Sequence, residues 1–224
     1  MTALRSLAFA AVFYPWSTAM AIALLPLLIG PRRWIMRVTG LWAAVVIVLL
    51  RWICGVRVEV RGREHLPAGP ALIGAKHQCM FDTMAPLAVF ADAAYVMKKE
   101  LMAIPFYGWY ARKAGMIVVA RQAHAKALRK LVADARRCIA DNRQVVIFPE
   151  GHRTAPGTSG DYKPGVAALY RDLGLACTPM ATNSGVHWPA HGFLRRPGVI
   201  VYQFLAPIPA GLHRGAFMRT LHER

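Results

Sequence analysis

The sequence predicts an α/β fold with a mixed, largely parallel central sheet flanked by helices, preceded by an N-terminal membrane-associated hairpin of two helices. Three observations support this prediction: short apolar runs that recur after residue 55, an amphipathic helical segment between two of them, and two long, apolar runs before residue 55. Strands that alternate with helices are typical of layered folds with a mainly parallel core. We therefore expect an anchoring hairpin over residues 1–55 and an α/β domain over residues 56–224.

The strand predictions rest on seven short runs. The first, VRVEVRG from Val56, alternates apolar and charged residues, as a half-buried strand does. The other runs are ALIGA (71–75), AYVM (94–97), MIVVAR (116–121), QVVIFP (144–149), ACTPMA (176–181) and GVIVYQFL (198–205). Residues 124–142 form the clearest helix, because their apolar side chains fall on one stripe and most of their basic side chains lie off it.

The N-terminal quarter of the chain is strongly apolar. Residues 6–30 carry no charge and residues 34–55 carry two arginines, so each run is long enough to span a bilayer at about 20 residues per span. Two full spans would place Arg32 and Arg33 opposite the rest of a very basic chain, which the positive-inside rule disfavours. A hairpin within one leaflet keeps all arginines on one face and is preferred; two spans, or a signal peptide over the first run, are the alternatives.

The charge and the apolar content of the chain indicate what kind of partner it binds. The chain of 224 residues has 28 Lys and Arg against 11 Asp and Glu, a net charge of +17, and 56% hydrophobic residues. A basic chain favours an anionic partner, and its apolar runs favour an anionic membrane surface over nucleic acid. The four cysteines are scattered without metal-ligand spacing, so we expect reduced packing residues facing the cytoplasm and no bound metal.

His77 and Asp82, in AKHQCMFDTM (75–84), are a candidate catalytic pair. Side chains five residues apart point about 140° away from each other on a regular helix. They can meet only if His77 lies in the loop after the strand and Asp82 lies in the first turns of the next helix. The aspartate would then orient the imidazole, whose other nitrogen could take a proton from an alcohol. A capping histidine near a surface aspartate is the alternative, because this spacing often arises by chance.

Three further stretches carry chemistry-bearing residues. FPEGHRT (148–154) follows an apolar run and combines Glu150 and Gly151 with Arg153, a residue type suited to bidentate phosphate binding. Residues 98–121 surround an aromatic cluster with basic side chains, and TPMATNSG (178–185) is a strand that ends in a polar turn. An ordinary turn and a basic surface helix are the alternatives for the first two.

In this order and spacing, the four stretches resemble the motifs of the 1-acylglycerol-3-phosphate O-acyltransferase family of glycerolipid synthesis, over about residues 60–210. HQCMFD matches its His-x4-Asp motif, KKELMAIPFYGW with Gly115 and Arg121 resembles its second block, and FPEGHRT resembles its FPEGTR block. TPMATNSG resembles its fourth block. His-x4-Asp alone is not specific, but its combination with FPEG-x-R is.

The resemblance implies a role for each matching residue. His77 would be the general base on the acceptor hydroxyl, and Asp82 would orient it. The residues implied in binding the acceptor and its phosphate are Lys98, Arg121, Glu150, Gly151 and Arg153. Three positions depart from the family pattern: His152 replaces a threonine, Cys79 replaces a serine, and Lys76 precedes the histidine.

The implied activity is transfer of a fatty acyl chain from acyl-CoA or acyl carrier protein to the free hydroxyl of a lysophospholipid. The expected acceptor is 1-acylglycerol-3-phosphate, and the expected product is phosphatidic acid. No cofactor is expected, and the protein is expected to lie at the cytoplasmic face of the inner membrane.

Two alternative functions are left open by the sequence. The acceptor could be another lysolipid, such as a lyso-ornithine lipid, or the protein could be a non-catalytic basic protein of the membrane surface. A covalent mechanism through Cys79 is the alternative chemistry. A lipid hydrolase would need a G-x-S-x-G elbow, which the sequence lacks.

Overall fold

The computed structural model describes residues 1–90, 92–120, 124–158 and 160–224. The strands of the described residues are β1 (Val56–Arg61), β2 (Ala71–Ala75), β3 (Ala93–Lys98), β4 (Ile117–Val119), β5 (Gln144–Ile147), β6 (Cys177–Thr182) and β7 (Gly198–Phe204). The α-helices are α1 (Thr2–Ala23), α2 (Arg32–Cys54), α3 (Tyr107–Lys113), α4 (His124–Ala140), α5 (Pro164–Leu173), α6 (Ser184–His187) and α7 (Arg214–Glu223). Short 3-10 helices, among them Met80–Thr83 and Ala85–Ala88, complete the connections. All seven predicted runs are strands, and the predicted amphipathic helix is α4.

The strands form one sheet in the order β1-β7-β6-β2-β5-β3-β4. Neighbouring strands are parallel except β6 and β7, which are antiparallel. The predicted mixed, largely parallel sheet is therefore confirmed. The central strand β2 pairs with β5 and β6 on its two sides, so the loops that follow these three strands emerge at the same edge. Open parallel sheets place their sites at this edge.

Successive side chains of a strand point to opposite faces of the sheet, and this alternation creates two cores. Ile73 packs in a cluster that includes Phe9 of α1 and Leu50 of α2. Its neighbour Leu72 packs on the other face, in a cluster to which α4, α5 and α7 contribute. The sheet is thus the middle of three layers, with the N-terminal helices on one side and the later helices on the other.

The helices α1 and α2 pack against each other and against the sheet. Trp42 donates its indole N–H to the Ser17 hydroxyl across the pair at 3.1 Å, and the Ser6 hydroxyl accepts the backbone N–H of Arg195 at 2.7 Å. Gly55 ends α2 in the left-handed conformation, at φ 71°, and turns the chain directly into β1. Both helices are also long and apolar enough to cross a membrane.

An ionic junction ties the start of α2 to the sheet. The Asp92 carboxylate accepts hydrogen bonds from Arg32, the first residue of α2, and from the Arg143 Nε at 2.9 Å. The almost fully buried Arg143 guanidinium also donates to the carbonyls of Ala114 at 2.8 Å and Gly115 at 2.9 Å. One side chain at the entry to β5 therefore satisfies three polar groups, and the two carbonyls have no other hydrogen-bond donor among the described residues.

We expect Arg143→Met to reduce the free energy of unfolding by about 3 kcal/mol, because it keeps the apolar stem but leaves two carbonyls without a donor and Asp92 with Arg32 as its one remaining cation among the described residues. Denaturant unfolding of the protein in detergent micelles measures this loss. Arg171→Met is the matched control, since Arg171 is exposed and pairs with its neighbour Asp172; it should change stability by about 0.5 kcal/mol or less. Equal losses in both variants would contradict a structural role for Arg143.

Candidate active site

The structure brings His77 and Asp82 together at the carboxyl edge of the sheet. Strand β2 ends at Ala75, His77 lies in the loop that follows, and Asp82 lies in the 3-10 helix Met80–Thr83. The Nδ1 atom of His77 is 3.3 Å from Oδ2 of Asp82. This is the loop histidine and helix aspartate that the five-residue spacing requires, although the helix is one short 3-10 turn rather than an α-helix.

The Asp82 carboxylate is completely buried and surrounded by donors. Its Oδ2 accepts the backbone N–H groups of Gln78 at 2.7 Å and Cys79 at 2.8 Å, in addition to the contact with His77. Its Oδ1 accepts the hydroxyl of Tyr202 at 3.2 Å and faces the Cys79 thiol at 3.8 Å. A carboxylate held by backbone N–H groups only accepts hydrogen bonds, so His77 donates from Nδ1 and its Nε2 keeps a lone pair.

The imidazole of His77 is held from several directions. The ring of Phe148 stacks on it at 4.2 Å between centroids, with 23° between the planes. Both polar groups of the His77 backbone form hydrogen bonds. The N–H donates to Glu150 Oε2 at 3.0 Å, and the carbonyl accepts the N–H of Thr154 at 2.9 Å. The side chain is 13% exposed, which leaves one edge open to a substrate while the rest is fixed.

Glu150 is buried, and its carboxylate connects the loop that follows β5 to the loop that follows β2. Its carboxylate is inaccessible to solvent and lies 2.5 Å from the Nζ of Lys76. Oε1 also accepts the hydroxyl of Thr154 at 3.0 Å, and Lys76 in turn donates to the Thr158 carbonyl at 2.8 Å. Because these partners occupy both carboxylate oxygens, Glu150 holds the two loops together and does not present a free oxygen to the surface. The unusual Lys76 before the histidine is the counter-charge of this buried acid.

Gly151 supplies a backbone conformation that other residues rarely adopt. Its φ is 67°, and its N–H closes a turn by donating to the Phe148 carbonyl at 3.0 Å. This tight turn aims Glu150 inward and leaves Arg153 outward. The left-handed conformation favours glycine here, because a side chain would add strain.

Two of the predicted phosphate-binding cations lie at the same edge of the sheet. Lys98 is the last residue of β3 and is exposed. Arg153 is exposed in the loop after β5, where its Nη1 donates to the Ala190 carbonyl at 3.3 Å. Among the described residues, no carboxylate forms an ion pair with either side chain. Arg121, the third predicted cation, lies outside the described residues.

Cys79 lies inside the loop, beneath the catalytic candidates. It is fully buried, and its thiol faces Asp82. Burial, followed by the negative charge of Asp82, raises the pKa of the Cys79 thiol to about 12. A thiol of this kind stays protonated near neutral pH and is a poor nucleophile.

Several residues of the site escaped the sequence prediction. Phe148 stood within a quoted motif, but nothing local indicated that its ring would pack on His77. Gln78 accepts the Gly185 N–H at 2.9 Å and so joins the fourth stretch to the first. Tyr202 lies 120 residues from Asp82 in an ordinary apolar strand, where no sequence signal distinguishes it. Within the part of the chain that the structure describes, no three His, Cys, Asp or Glu side chains are grouped as a metal site requires.

Comparisons with known proteins show what the chain is similar to. The chain is 36% identical to a 1-acyl-sn-glycerol-3-phosphate acyltransferase of Pseudomonas aeruginosa over 159 residues, which are 71% of this chain and 62% of that protein. It is 27% identical to the enzyme of the same name from Limnanthes alba over 198 residues, which are 85% of this chain and 69% of the relative. The match thus spans less than two thirds of the Pseudomonas protein.

A solved structure and a family model extend the comparison. The crystal structure of the 1-acyl-sn-glycerophosphate acyltransferase PlsC from Thermotoga maritima shares the fold, with a TM-score of 0.82 at 21% identity, over 100% of this chain and 94% of that one. The family model described as Acyltransferase matches residues 57–183, a stretch that contains His77, Asp82 and the whole FPEGHRT loop. On these grounds, the chain belongs to the acyltransferase family.

Proposed function

We propose that the protein transfers a fatty acyl chain from an acyl thioester to the free hydroxyl of 1-acylglycerol-3-phosphate, giving phosphatidic acid. The observation that carries the proposal is the His77–Asp82 pair, in which a buried carboxylate occupies Nδ1 and leaves Nε2 as a base at the open edge of the sheet. The names of the Pseudomonas and Limnanthes relatives support the choice of acceptor.

The reaction proceeds by direct attack. The acceptor hydroxyl adds to the thioester carbonyl while Nε2 of His77 takes its proton, a step that typically contributes about 10²–10⁴-fold to the rate. Asp82 stabilises the imidazolium that results. The tetrahedral intermediate then expels the thiolate, which recovers the proton from His77, so that an ester and a free thiol are the products. The balanced reaction needs no reactant beyond the two substrates.

The acceptor phosphate would be bound by the cations at the same edge. Arg153 presents a guanidinium beside the turn that Gly151 and Glu150 shape, and Lys98 presents an ammonium from the end of β3. Arg121 completes the proposed set. A guanidinium binds phosphate in a bidentate manner, whereas an ammonium acts as a point charge, so Arg153 is expected to fix the orientation of the head group.

The outer surface of the N-terminal helices supports a place at a membrane. Large apolar side chains are exposed along both helices and along the adjoining segment 104–109; they include Leu4, Leu7, Val12, Ile22, Trp34, Leu41, Val45, Val48, Trp52, Ile104, Tyr107 and Trp109. The inner faces of the same helices pack on the sheet, which favours a hairpin in one leaflet over two independent spans.

In this proposal residues 1–55 anchor the protein and residues 56–224 carry the catalytic groups. A net charge of +17 would hold the site against the anionic cytoplasmic face of the inner membrane. The acyl donor is acyl-CoA or acyl carrier protein, and the assay below includes both.

We expect His77→Ala to lose about 10²-fold or more of the acyl transfer rate, because it removes the base that takes the proton of the acceptor hydroxyl. The measurement is transfer of labelled acyl chains, from acyl-CoA and from acyl carrier protein, to 1-acylglycerol-3-phosphate in detergent or vesicles. His191→Ala is the control, since His191 is exposed, and it should retain wild-type activity. The absence of transfer by the wild-type protein from either donor would refute the function.

We expect Cys79→Ser to keep most of the activity, because a thiol with its pKa raised to about 12 is not the nucleophile. The serine hydroxyl can still donate to Asp82. Steady-state kcat and mass spectrometry of quenched turnover test this expectation. A trapped acyl group on Cys79, together with an inactive serine variant, would favour the covalent mechanism instead.

We expect Arg153→Ala to raise KM for 1-acylglycerol-3-phosphate about tenfold or more, because it removes a charge-assisted contact to phosphate. The same variant should change the rate with a phosphate-free 1-acylglycerol by less than about twofold. Arg171→Ala is the control for lost surface charge. A wild-type preference for lyso-ornithine lipid, with no effect of Arg153→Ala on phosphate recognition, would instead support the alternative acceptor.

A further inference from the structure

Tyr202 is the one described residue from β7 that reaches the His77–Asp82 pair with a polar atom. Its side chain is buried in the cluster beneath the N-terminal helices, next to Phe81, with 6.5 Å between the ring centroids. Its hydroxyl donates to Oδ1 of Asp82 at 3.2 Å. Because β7 runs antiparallel to β6, this contact joins the loop after β2 to the strand that reverses the direction of the sheet.

The two oxygens of Asp82 differ in how firmly they are held. Oδ2 has the two backbone N–H donors of the loop and the contact with His77. Oδ1 has the Tyr202 hydroxyl and a distant, weakly donating thiol. The Tyr202 hydroxyl is therefore the strong donor for half of the carboxylate, and it limits rotation of the group about its Cβ–Cγ bond.

We propose that Tyr202 is a positioning residue of the His77–Asp82 pair, which sets the orientation and the basicity of the Asp82 carboxylate through its hydroxyl. The proposal rests on the proposed function for its kinetic readout only. Without the hydroxyl, one hydrogen-bond donor fewer stabilises the negative charge of Asp82. The carboxylate then forms a stronger hydrogen bond with a protonated His77. A base that holds its proton more tightly is neutral only at higher pH.

The charged and titratable groups around the pair come from four strands or the loops that follow them. His77 and Cys79 lie on the same loop as Asp82, Tyr95 is buried on β3, and Tyr202 is buried on β7. Glu150 and Lys76 pair with each other beside the backbone of His77. Burial and the charge of Asp82 raise the pKa of Cys79, Tyr95 and Tyr202, so these three groups stay protonated between pH 5 and pH 9.

Tyr95 supplies a matched control. It is buried like Tyr202, burial and then the charge of Asp82 raise its pKa as they do for Tyr202, and its hydroxyl has no hydrogen-bond partner among the described residues. Tyr95→Phe and Tyr202→Phe therefore remove the same atom from similar surroundings, but only the second removes a hydrogen bond to Asp82. A general response to loss of a buried hydroxyl would appear in both variants.

We expect Tyr202→Phe to lower kcat about tenfold, with KM for both substrates within about twofold of wild type. The acidic limb of the kcat profile should move to higher pH. Tyr95→Phe should leave kcat and the profile unchanged. Thermal unfolding of both variants accompanies the kinetics, so that a folding defect is recognised. An unchanged kcat and profile in Tyr202→Phe, or the same change in Tyr95→Phe, would overturn the proposal.

A second readout does not depend on activity. The titration of His77 is followed by NMR of protein labelled with ¹⁵N at histidine, with His77→Ala to assign the signal. Its midpoint should move to higher pH in Tyr202→Phe and stay in place in Tyr95→Phe. If the wild-type protein transfers no acyl chain while this shift appears, the proposed function fails and the positioning role stands. If transfer occurs and no shift appears, the positioning role fails alone.

Discussion

The geometry of the site depends on one buried carboxylate. Removing Asp82 from water is costly, by several kcal/mol, unless hydrogen-bond donors replace the solvent. The loop after β2 provides two of them from its own backbone, at Gln78 and Cys79, which forces the chain to curl around the acid. The imidazole of His77 then has one nitrogen directed at the acid and the other directed outward. The orientation of the His77 imidazole thus follows from satisfying a buried charge.

A second buried acid extends the same principle to the neighbouring strand. Glu150 follows β5, which pairs with β2 through Gly74 and Ile147, and its carboxylate reaches across to the backbone of His77 and the ammonium of Lys76. Breaking such a pair by removing one partner leaves an uncompensated charge, which is typically very destabilising. The loops after β2 and β5 are therefore locked to each other, and the exposed Arg153 is carried on a rigid turn.

The N-terminal helices are part of the same packed body. Phe9 and Leu50 share a core with Ile73 of the central strand, and the Asp92 junction fixes the start of α2 through Arg32. A membrane surface built from the outer faces of these helices would therefore have a fixed position relative to His77. In the proposed anchoring by residues 1–55, this packing, rather than a flexible linker, would set the depth of His77 relative to the membrane.

Patterns in the sequence were enough to predict the strands, the amphipathic helix α4, the two long apolar helices and the positions of the motifs at strand ends, because hydrophobic periodicity is a local property of the chain. The five-residue spacing of His77 and Asp82 even required the loop and helix arrangement that the structure has. The groups that complete the site became visible only in the folded chain. Tyr202 meets Asp82 across 120 residues, Phe148 stacks on His77, and Glu150 turns inward onto Lys76. These contacts arise from the order in which strands pair, a non-local choice that no pattern within a short segment encodes.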